Sequence, residues 1–363
     1  MKKILIPIAF ISLLLTGCKK ESIPFPEPPV IEDDRLIIHT EVQRAYLADK
    51  VDRANIYARG VEELSRPLNN TFSWEGEDKA YTVYLSEYED YADSLIYKVD
   101  KANVSFTNLK INTTYYYKVV SDDTSIKEDS FTTSDEIIRN IYVSGVTNVR
   151  DLGGYTTQDG VLNQGVIFRT GRLNQNSVET VNRTINDKGI DTMLNVMKVK
   201  SEIDLRGVSN NEVGGLTEGV GVLGESVHYY QCPMNFDLSF DDEFNNIGLR
   251  RVFSLLGDKN NYPTFFHCSI GTDRTGYIAW LINACLGVEE EYLWRDYLFS
   301  NFGNIGSARK QSNIQNRYVK AINETSGDTL KEKATNYLLN KGVKQEEINV
   351  LREMMLKQNV ETK

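Results

Sequence analysis

His267-Cys268-Ser269-Ile270-Gly271-Thr272-Asp273-Arg274-Thr275-Gly276 is the stretch on which the reading of this chain turns. A cysteine and an arginine stand six positions apart, with Gly271 between them. Just upstream, Thr264-Phe265-Phe266 reads as a short buried strand. Just downstream, Tyr277 to Leu286 reads as an apolar helix. A strand–loop–helix of this kind can wrap an oxyanion, because the loop amides turn inward and the helix N-terminus adds partial positive charge. The loop residues Ser269, Ile270, Gly271, Thr272, Asp273 and Arg274 would then line a phosphate seat. Gly271 permits the tight curvature. Arg274 adds a guanidinium fork whose geometry suits phosphate. Cys268 would sit beneath the bound phosphoryl group, in a setting that lowers a thiol pKa and makes the thiolate available near neutrality. Thr275 can give a hydroxyl bond to that thiolate. The arrangement implies phosphoryl transfer through a cysteinyl-phosphate, with Arg274 clamping the charge that builds on the equatorial oxygens.

The ten residues resemble the phosphate-binding loop of the cysteine-dependent tyrosine phosphatases, and within them the bacterial tyrosine/serine phosphatase pattern H-C-x-x-G-K-D-R-T-G. Further blocks extend the resemblance. Asn148-Val149-Arg150-Asp151-Leu152-Gly153-Gly154 is similar to the N-x-R-D-L-G-G signature. Phe168 to Leu173 is similar to the block that follows it, Ile203-Asp204-Leu205-Arg206 to an I-D-L-R strand, and Asp296 to Asn301 to a D-Y-L-x-S-N helix. The blocks keep the family's order over roughly residues 140 to 357. The resemblance implies an α/β fold, a phosphatase-like sheet flanked by helices. It also implies that His267 buttresses the loop through hydrogen bonds.

Asp273 is the favoured general acid, both by proximity and by resemblance to phosphatases with aspartate at this loop position. Asp151 and Asp204 compete for that role, or serve in structural pairs, Asp151 with Arg150 or Arg206 for instance. Arg150 either touches phosphate or braces the loop. Thr272 stands where the family often has lysine, and the missing charge counts against multiply phosphorylated substrates. The expected function is hydrolysis of phosphate monoesters, with phosphotyrosine preferred and phosphoserine and phosphothreonine also accepted. The rivals are an inositol-phosphate or phosphoinositide phosphatase, and a surface binding protein carrying a silent phosphatase fold.

The 363 residues suggest two domains, and 40% hydrophobic with 25% charged residues is ordinary globular composition. A net charge of −10 argues against nucleic acid as a partner. With only His39, His228 and His267 in the chain and no paired ligand spacing, neither a metal nor another cofactor is expected. The expected partner is a phosphorylated protein or a small phosphomonoester.

Lys2 and Lys3 precede an apolar run, Ile4 to Leu15, too short to span a bilayer. Leu15-Thr16-Gly17-Cys18 resembles a bacterial lipobox, which implies cleavage before Cys18, a lipid on its thiol and a membrane-anchored, extracytoplasmic protein of the bacterial cell envelope. Lys19 after Cys18 points to the outer membrane by the usual sorting rule. Residues 1–17 are thus read as a signal peptide and 18–35 as a linker, which holds Pro24, Pro26, Pro28 and Pro29.

Residues 36–134 read as a β-sandwich, with strands at Thr71 to Trp74, Tyr81 to Leu85 and Thr114 to Val120. Leu109, Thr113 and Tyr115 resemble the penultimate strand of a fibronectin type III domain, and Trp74 would be its core tryptophan. Spacing, or protein and glycan contact, is the expected role of this front unit. Residues 39–66 fit it poorly. Residues 135–363 alternate strands and helices and form the catalytic domain, with a mobile glycine-rich loop expected at Gly207 to Gly224. Cys285 is expected in the core, and Cys232 either in the core or as a redox partner of Cys268.

Overall fold

The computed structural model describes residues 34–176 and 183–356. The leader, Cys18 and the proline-rich stretch lie outside the described residues.

Residues 39–66, which the sequence pattern leaves unplaced, begin as helices. Thr40 caps α1 (Glu41–Ala48) in a reciprocal box: its Oγ1 accepts from Gln43 N at 3.4 Å, and Gln43 Oε1 accepts from Thr40 N at 3.1 Å. A single 3-10 turn leads into α2 (Ala54–Tyr57). Helices of 8 and 4 residues are too short to display a helical period, which is why the pattern was silent. Ala45, Tyr46, Ala54, Tyr57 and Ala58 are buried in the core of the C-terminal half, where Tyr46 meets Phe302 with ring centroids 5.6 Å apart.

Six strands follow: β1 (Asn70–Ser73), β2 (Tyr81–Ser86), β3 (Leu95–Val99), β4 (Asn103–Phe106), β5 (Thr114–Ser121) and β6 (Thr124–Thr132). β1 pairs with β4, and β3-β2-β5-β6 form a second antiparallel sheet. Tyr81, Val83 and Leu85 alternate inward and share one core with Tyr115, Tyr117 and Val119. Phe72 reaches Phe106 and Tyr117 at centroid distances of 5.1 and 5.4 Å, so both sheets meet over the same interior. Trp74 is not the centre of that core. It lies one residue past the end of β1, half-buried with its ring edge-on to Tyr81, and Phe72 and Phe106 fill the middle instead.

The C-terminal half contains β7 (Arg150–Asp151), the hairpin β8 (Thr156–Thr157) and β9 (Gly160–Val161), β10 (Ile167–Thr170), α3 (Asp187–Asp191), β11 (Ser201–Asp204), β12 (Gly219–Val220), β13 (His228–Gln231), α4 (Glu243–Leu256), β14 (Thr264–His267), α5 (Asp273–Cys285), α6 (Glu290–Phe299), α7 (Ser312–Ile314), α8 (Lys320–Asn323), α9 (Leu330–Asn340) and α10 (Gln345–Met355). The sheet order is β12-β13-β11-β14-β10-β7. The four inner strands are parallel and the two edge strands antiparallel to their neighbours. Both faces are covered, so even polar inner-strand residues such as Ser201, Glu202 and Asp204 are buried. Phe265 and Phe168 enter one core, while Phe266, Ile167 and Ile203 enter the other with α5. Every residue of α5 from Thr275 to Cys285 is buried. Each large apolar side chain there contributes about 1.5–3 kcal/mol by leaving water, so the helix that follows the loop is a rigid backstop.

The register sets Thr170 and Asp204 on either side of His267. The loop therefore opens at the carboxyl ends of the parallel strands, where open α/β sheets hold their ligands.

Candidate active site

Gly271 sits at φ +70°, and a Cβ there would lie 2.4 Å from Thr170 O. The loop can turn this close to β10 only without a side chain. Its carbonyls point backward into fixed donors. Ser269 O accepts from Arg172 Nη1 at 3.1 Å. Ile270 O accepts from Asn148 Nδ2 at 3.1 Å. Gly271 O accepts from Asn148 Nδ2 at 2.9 Å and from Arg169 Nη2 at 2.8 Å. In a trans peptide the N–H opposes the C=O. With three successive carbonyls held outward, the amides of Ile270, Gly271 and Thr272 face the hollow of the loop. Among the described residues no acceptor takes these three amides. The hollow is a nest of oriented donors fitted to an anion.

The donors are themselves braced. Arg150 Nε donates to Asp296 Oδ1 at 2.9 Å, and Arg169 pairs with the other oxygen of Asp296. Arg150 also donates to Asn148 Oδ1, and to Ser300 Oγ at 3.2 Å. Arg150 and Arg169 are completely buried. Arg150 therefore braces the loop from behind. Thr272, at the position of the family lysine, is buried, and its hydroxyl accepts from Asn148 Nδ2 at 3.2 Å.

Cys268 lies at the base of the hollow, 2% exposed. Burial alone would push its thiol up, but Arg274 and the hydroxyl and amide of Thr275 outweigh burial and bring it below the usual thiol range. Among the described residues no other group pairs with Thr275 Oγ1, which leaves it to the sulfur. Burial pushes Cys232 and Cys285 up to about 12. Arg274 is aimed by four contacts: Nη2 to Glu212 Oε1 at 2.6 Å and Ser269 Oγ at 3.5 Å, and Nη1 to Met234 O at 3.1 Å and Leu205 O at 3.3 Å. Asp273 opens α5. Arg309 grips its carboxylate with two bonds, Nε to Oδ1 at 3.1 Å and Nη2 to Oδ2 at 3.0 Å, and Tyr297 OH donates to Oδ1 at 3.2 Å.

Asp151 and Asp204 are fully buried and engaged elsewhere. Asp151 pairs with Arg139 at 2.7 Å, not with Arg150 or Arg206, and accepts from Gly153 N and Gly165 N. Arg150 and Asp151 are neighbours on β7, so their side chains leave opposite faces and cannot meet. Asp204 pairs with Arg206 at 2.7 Å and accepts from Tyr229 OH at 2.8 Å. His267 Nε2 lies 2.9 Å from Glu202 Oε1, and its Nδ1 lies 3.7 Å from Asp204 Oδ1. Burial opposes charge on this ring, but Asp204 and Glu202 outweigh it and hold its pKa above the ordinary value. His267 thus anchors the strand end from which the loop departs. His39 is a buried structural residue, its Nε2 2.7 Å from Ile138 O.

Cys232 and Cys268 flank Leu205 from opposite sides, because β11 separates β13 from β14. Two strand spacings amount to about 9.6 Å. That is beyond the roughly 7 Å over which a disulfide can close. The loop 207–224 is less free than its glycines suggest: Glu212 Oε2 accepts from Gly207 N at 3.1 Å, and Glu212 O accepts from Arg206 Nη1 at 3.1 Å. Glu212 escaped the sequence reading, as did Arg309. A lone acid in a glycine-rich loop and a lone base in a turn carry no pattern. Among the described residues no cluster of His, Cys, Asp and Glu could hold a metal.

A model of a tyrosine phosphatase family matches residues 141–357, more than half of the chain. Among solved structures, the chain is similar to the core catalytic domain of the PP-IP phosphatase SIW14 from S. cerevisiae in complex with citrate, at 16% identity and a TM-score of 0.29. That likeness covers 45% of this chain and 88% of the other. A second structure, of the Siw14 catalytic core, is 14% identical with a TM-score of 0.31, covering 56% and 95%. No curated protein matches the chain.

Proposed function

The chain belongs to the tyrosine phosphatase family, and on that premise we propose that it is a phosphatase of phosphotyrosine, with phosphoserine and phosphothreonine as further substrates. The observation that carries the reading is the amide nest over a thiol held below its usual pKa, closed by Arg274. In the first step the Cys268 thiolate attacks phosphorus, and the bond to the leaving oxygen breaks. Asp273 gives that oxygen a proton. In the second step water attacks, the sulfur departs stabilised by Thr275, and Asp273 takes the proton from water. The three amides and Arg274 bind the equatorial oxygens in both steps, where charge is greatest. Thr272, turned inward without charge, favours singly phosphorylated substrates.

The proposal extends to the rest of the chain. The front β unit, from about residue 36 to 134, is read as a fibronectin type III-like module for protein or glycan contact. Support comes from two sheets sharing one core and from Tyr115 OH accepting Lys110 N at 2.9 Å at the head of β5. The catalytic unit runs from about residue 135. The Leu15–Cys18 sequence supports a lipid anchor on Cys18 and an extracytoplasmic place in a bacterial envelope.

The test is phosphate release by the full chain in detergent, with chelator present. Phosphotyrosine peptide, phosphoserine peptide and inositol hexakisphosphate are compared, with Cys268→Ser as control. Turnover of the phosphotyrosine peptide, abolished by the serine variant, is expected. Preference for the inositol phosphate would overturn the substrate reading, and no turnover by folded protein would overturn the activity.

A further inference from the structure

Resting on the reading of Asp273 as proton donor, we infer that Arg309 is a positioning residue for catalysis, whose fork holds the Asp273 carboxyl group in the orientation that proton transfer needs. Arg309 is built into place. Asn301, fully buried, accepts from Arg309 N at 2.6 Å and donates to Arg309 O at 3.0 Å. Arg309 Nη1 donates to Ser307 O at 3.1 Å and Ser307 Oγ at 3.0 Å. Its remaining donors, Nε and one Nη2 hydrogen, are spent on the two oxygens of Asp273. Both side chains are 16% exposed, so the pair is partly shielded from water.

Three points separate this role from loop bracing. First, Arg309 donates to no carbonyl of the loop; Asn148, Arg169 and Arg172 hold those. Second, the residue that Arg309 grips opens α5 and immediately precedes Arg274 in the loop. Third, a two-toothed fork matches a carboxylate, with two acceptor oxygens, better than a carboxylic acid, which has lost an acceptor site to its proton. The fork therefore fixes the orientation of both Asp273 oxygens, and holding a reacting group in one geometry lowers the barrier to proton transfer rather than raising affinity. Between the half-reactions the same fork, with Tyr297, holds the carboxylate ready for the proton that attacking water gives up as the O–P bond forms and the S–P bond breaks.

The experiment uses the full chain in detergent and measures the pre-steady-state rate of cysteinyl-phosphate formation. Phenyl phosphate has a leaving group that needs a proton; 4-nitrophenyl phosphate has one that does not. Arg309→Gln is expected to slow formation from phenyl phosphate by about 10–100-fold. It should leave formation from 4-nitrophenyl phosphate within about threefold and KM little changed. Arg309→Lys keeps the charge without the fork and should fall between. Tyr297→Phe, which removes one bond, should give a smaller loss of the same selectivity even where the arginine variants fold poorly. Equal losses on both substrates in these variants would show a merely structural role and overturn the inference. Asp273→Asn separates the two levels. If it too spares phenyl phosphate, the proton-donor reading falls and takes this inference with it. If it is selective and Arg309→Gln is not, the inference alone falls.

Discussion

Asp296→Asn tests whether the loop hangs on one buried charge. Asp296 is 4% exposed and faces two fully buried guanidinium groups, Arg150 at 2.9 Å and Arg169 on its other oxygen. Burial favours the neutral acid, but Arg150 and Arg169 outweigh it and hold the carboxyl below the usual range. Asparagine keeps the shape and removes the charge, which leaves two cations in the interior without a counter-ion. Removing one partner of a buried pair costs about 3–5 kcal/mol. The lower end applies here, because Arg150 keeps Asn148 and Ser300, and Arg169 keeps Gly271 O. A loss of about 3 kcal/mol lowers the melting temperature of a unit this size by about 6–12 °C. The assay is urea unfolding at neutral pH followed by tryptophan fluorescence, to which Trp280 and Trp294 contribute from the same core, their rings 4.7 Å apart. The denaturant slope should stay constant. Because Arg169 loses its anchor, kcat/KM should fall as well. A variant within about 1 kcal/mol of the parent would refute the idea that Asp296 neutralises both arginines.

Gly271→Ala should cut kcat/KM by about 100-fold, because the new Cβ meets backbone at 2.4 Å and the left-handed φ strains alanine. Steady-state assays within about threefold of the parent would contradict that. Asp204 gives a pH prediction. Burial raises its pKa, but His267 and Arg206 outweigh burial and hold it at about 2, against an ordinary 3.8. A folded pKa below the unfolded one contributes stability that is complete above pH 3.8 and is lost as pH falls toward 2. Urea unfolding across that window should show a loss on the order of 2 kcal/mol that Asp204→Asn lacks. Parallel slopes for parent and variant would contradict it.

The loop was legible because its chemistry is contiguous: strand, thiol, turn glycine, guanidinium and helix follow one another within a few turns of chain. The pairing behind it was not. Asn148, Arg150, Arg169 and Asp296 lie in recognisable blocks, yet which arginine meets which carboxylate depends on strand order and on the alternation of faces. That alternation sends Asp151 to Arg139. Glu212 and Arg309 come from turns without periodicity and reach the loop only through tertiary folding. Short α1 and α2 leave no helical signature, although Tyr46 is as deeply placed as any core residue of α5 and Tyr57 is buried with it.

The path of the chain through α1 and α2 bears on how the protein can be taken apart. Leu36 N bonds Thr132 O and Leu68 N bonds Ile38 O, both at 2.8 Å, so the polypeptide passes the catalytic core, leaves it as the front strands, and comes back beside its point of departure. Cloning from residue 135 onward would amputate the segment that seals Phe299 and Phe302, and the product should aggregate. Excision is expected to keep that seal, although Arg139 would lose the Asn108 and Leu109 carbonyls to which it donates. Retaining Leu36 to Leu68 and splicing to Thr133 through a short bridge deletes the front strands alone, and makes their place a socket into which other modules can be grafted.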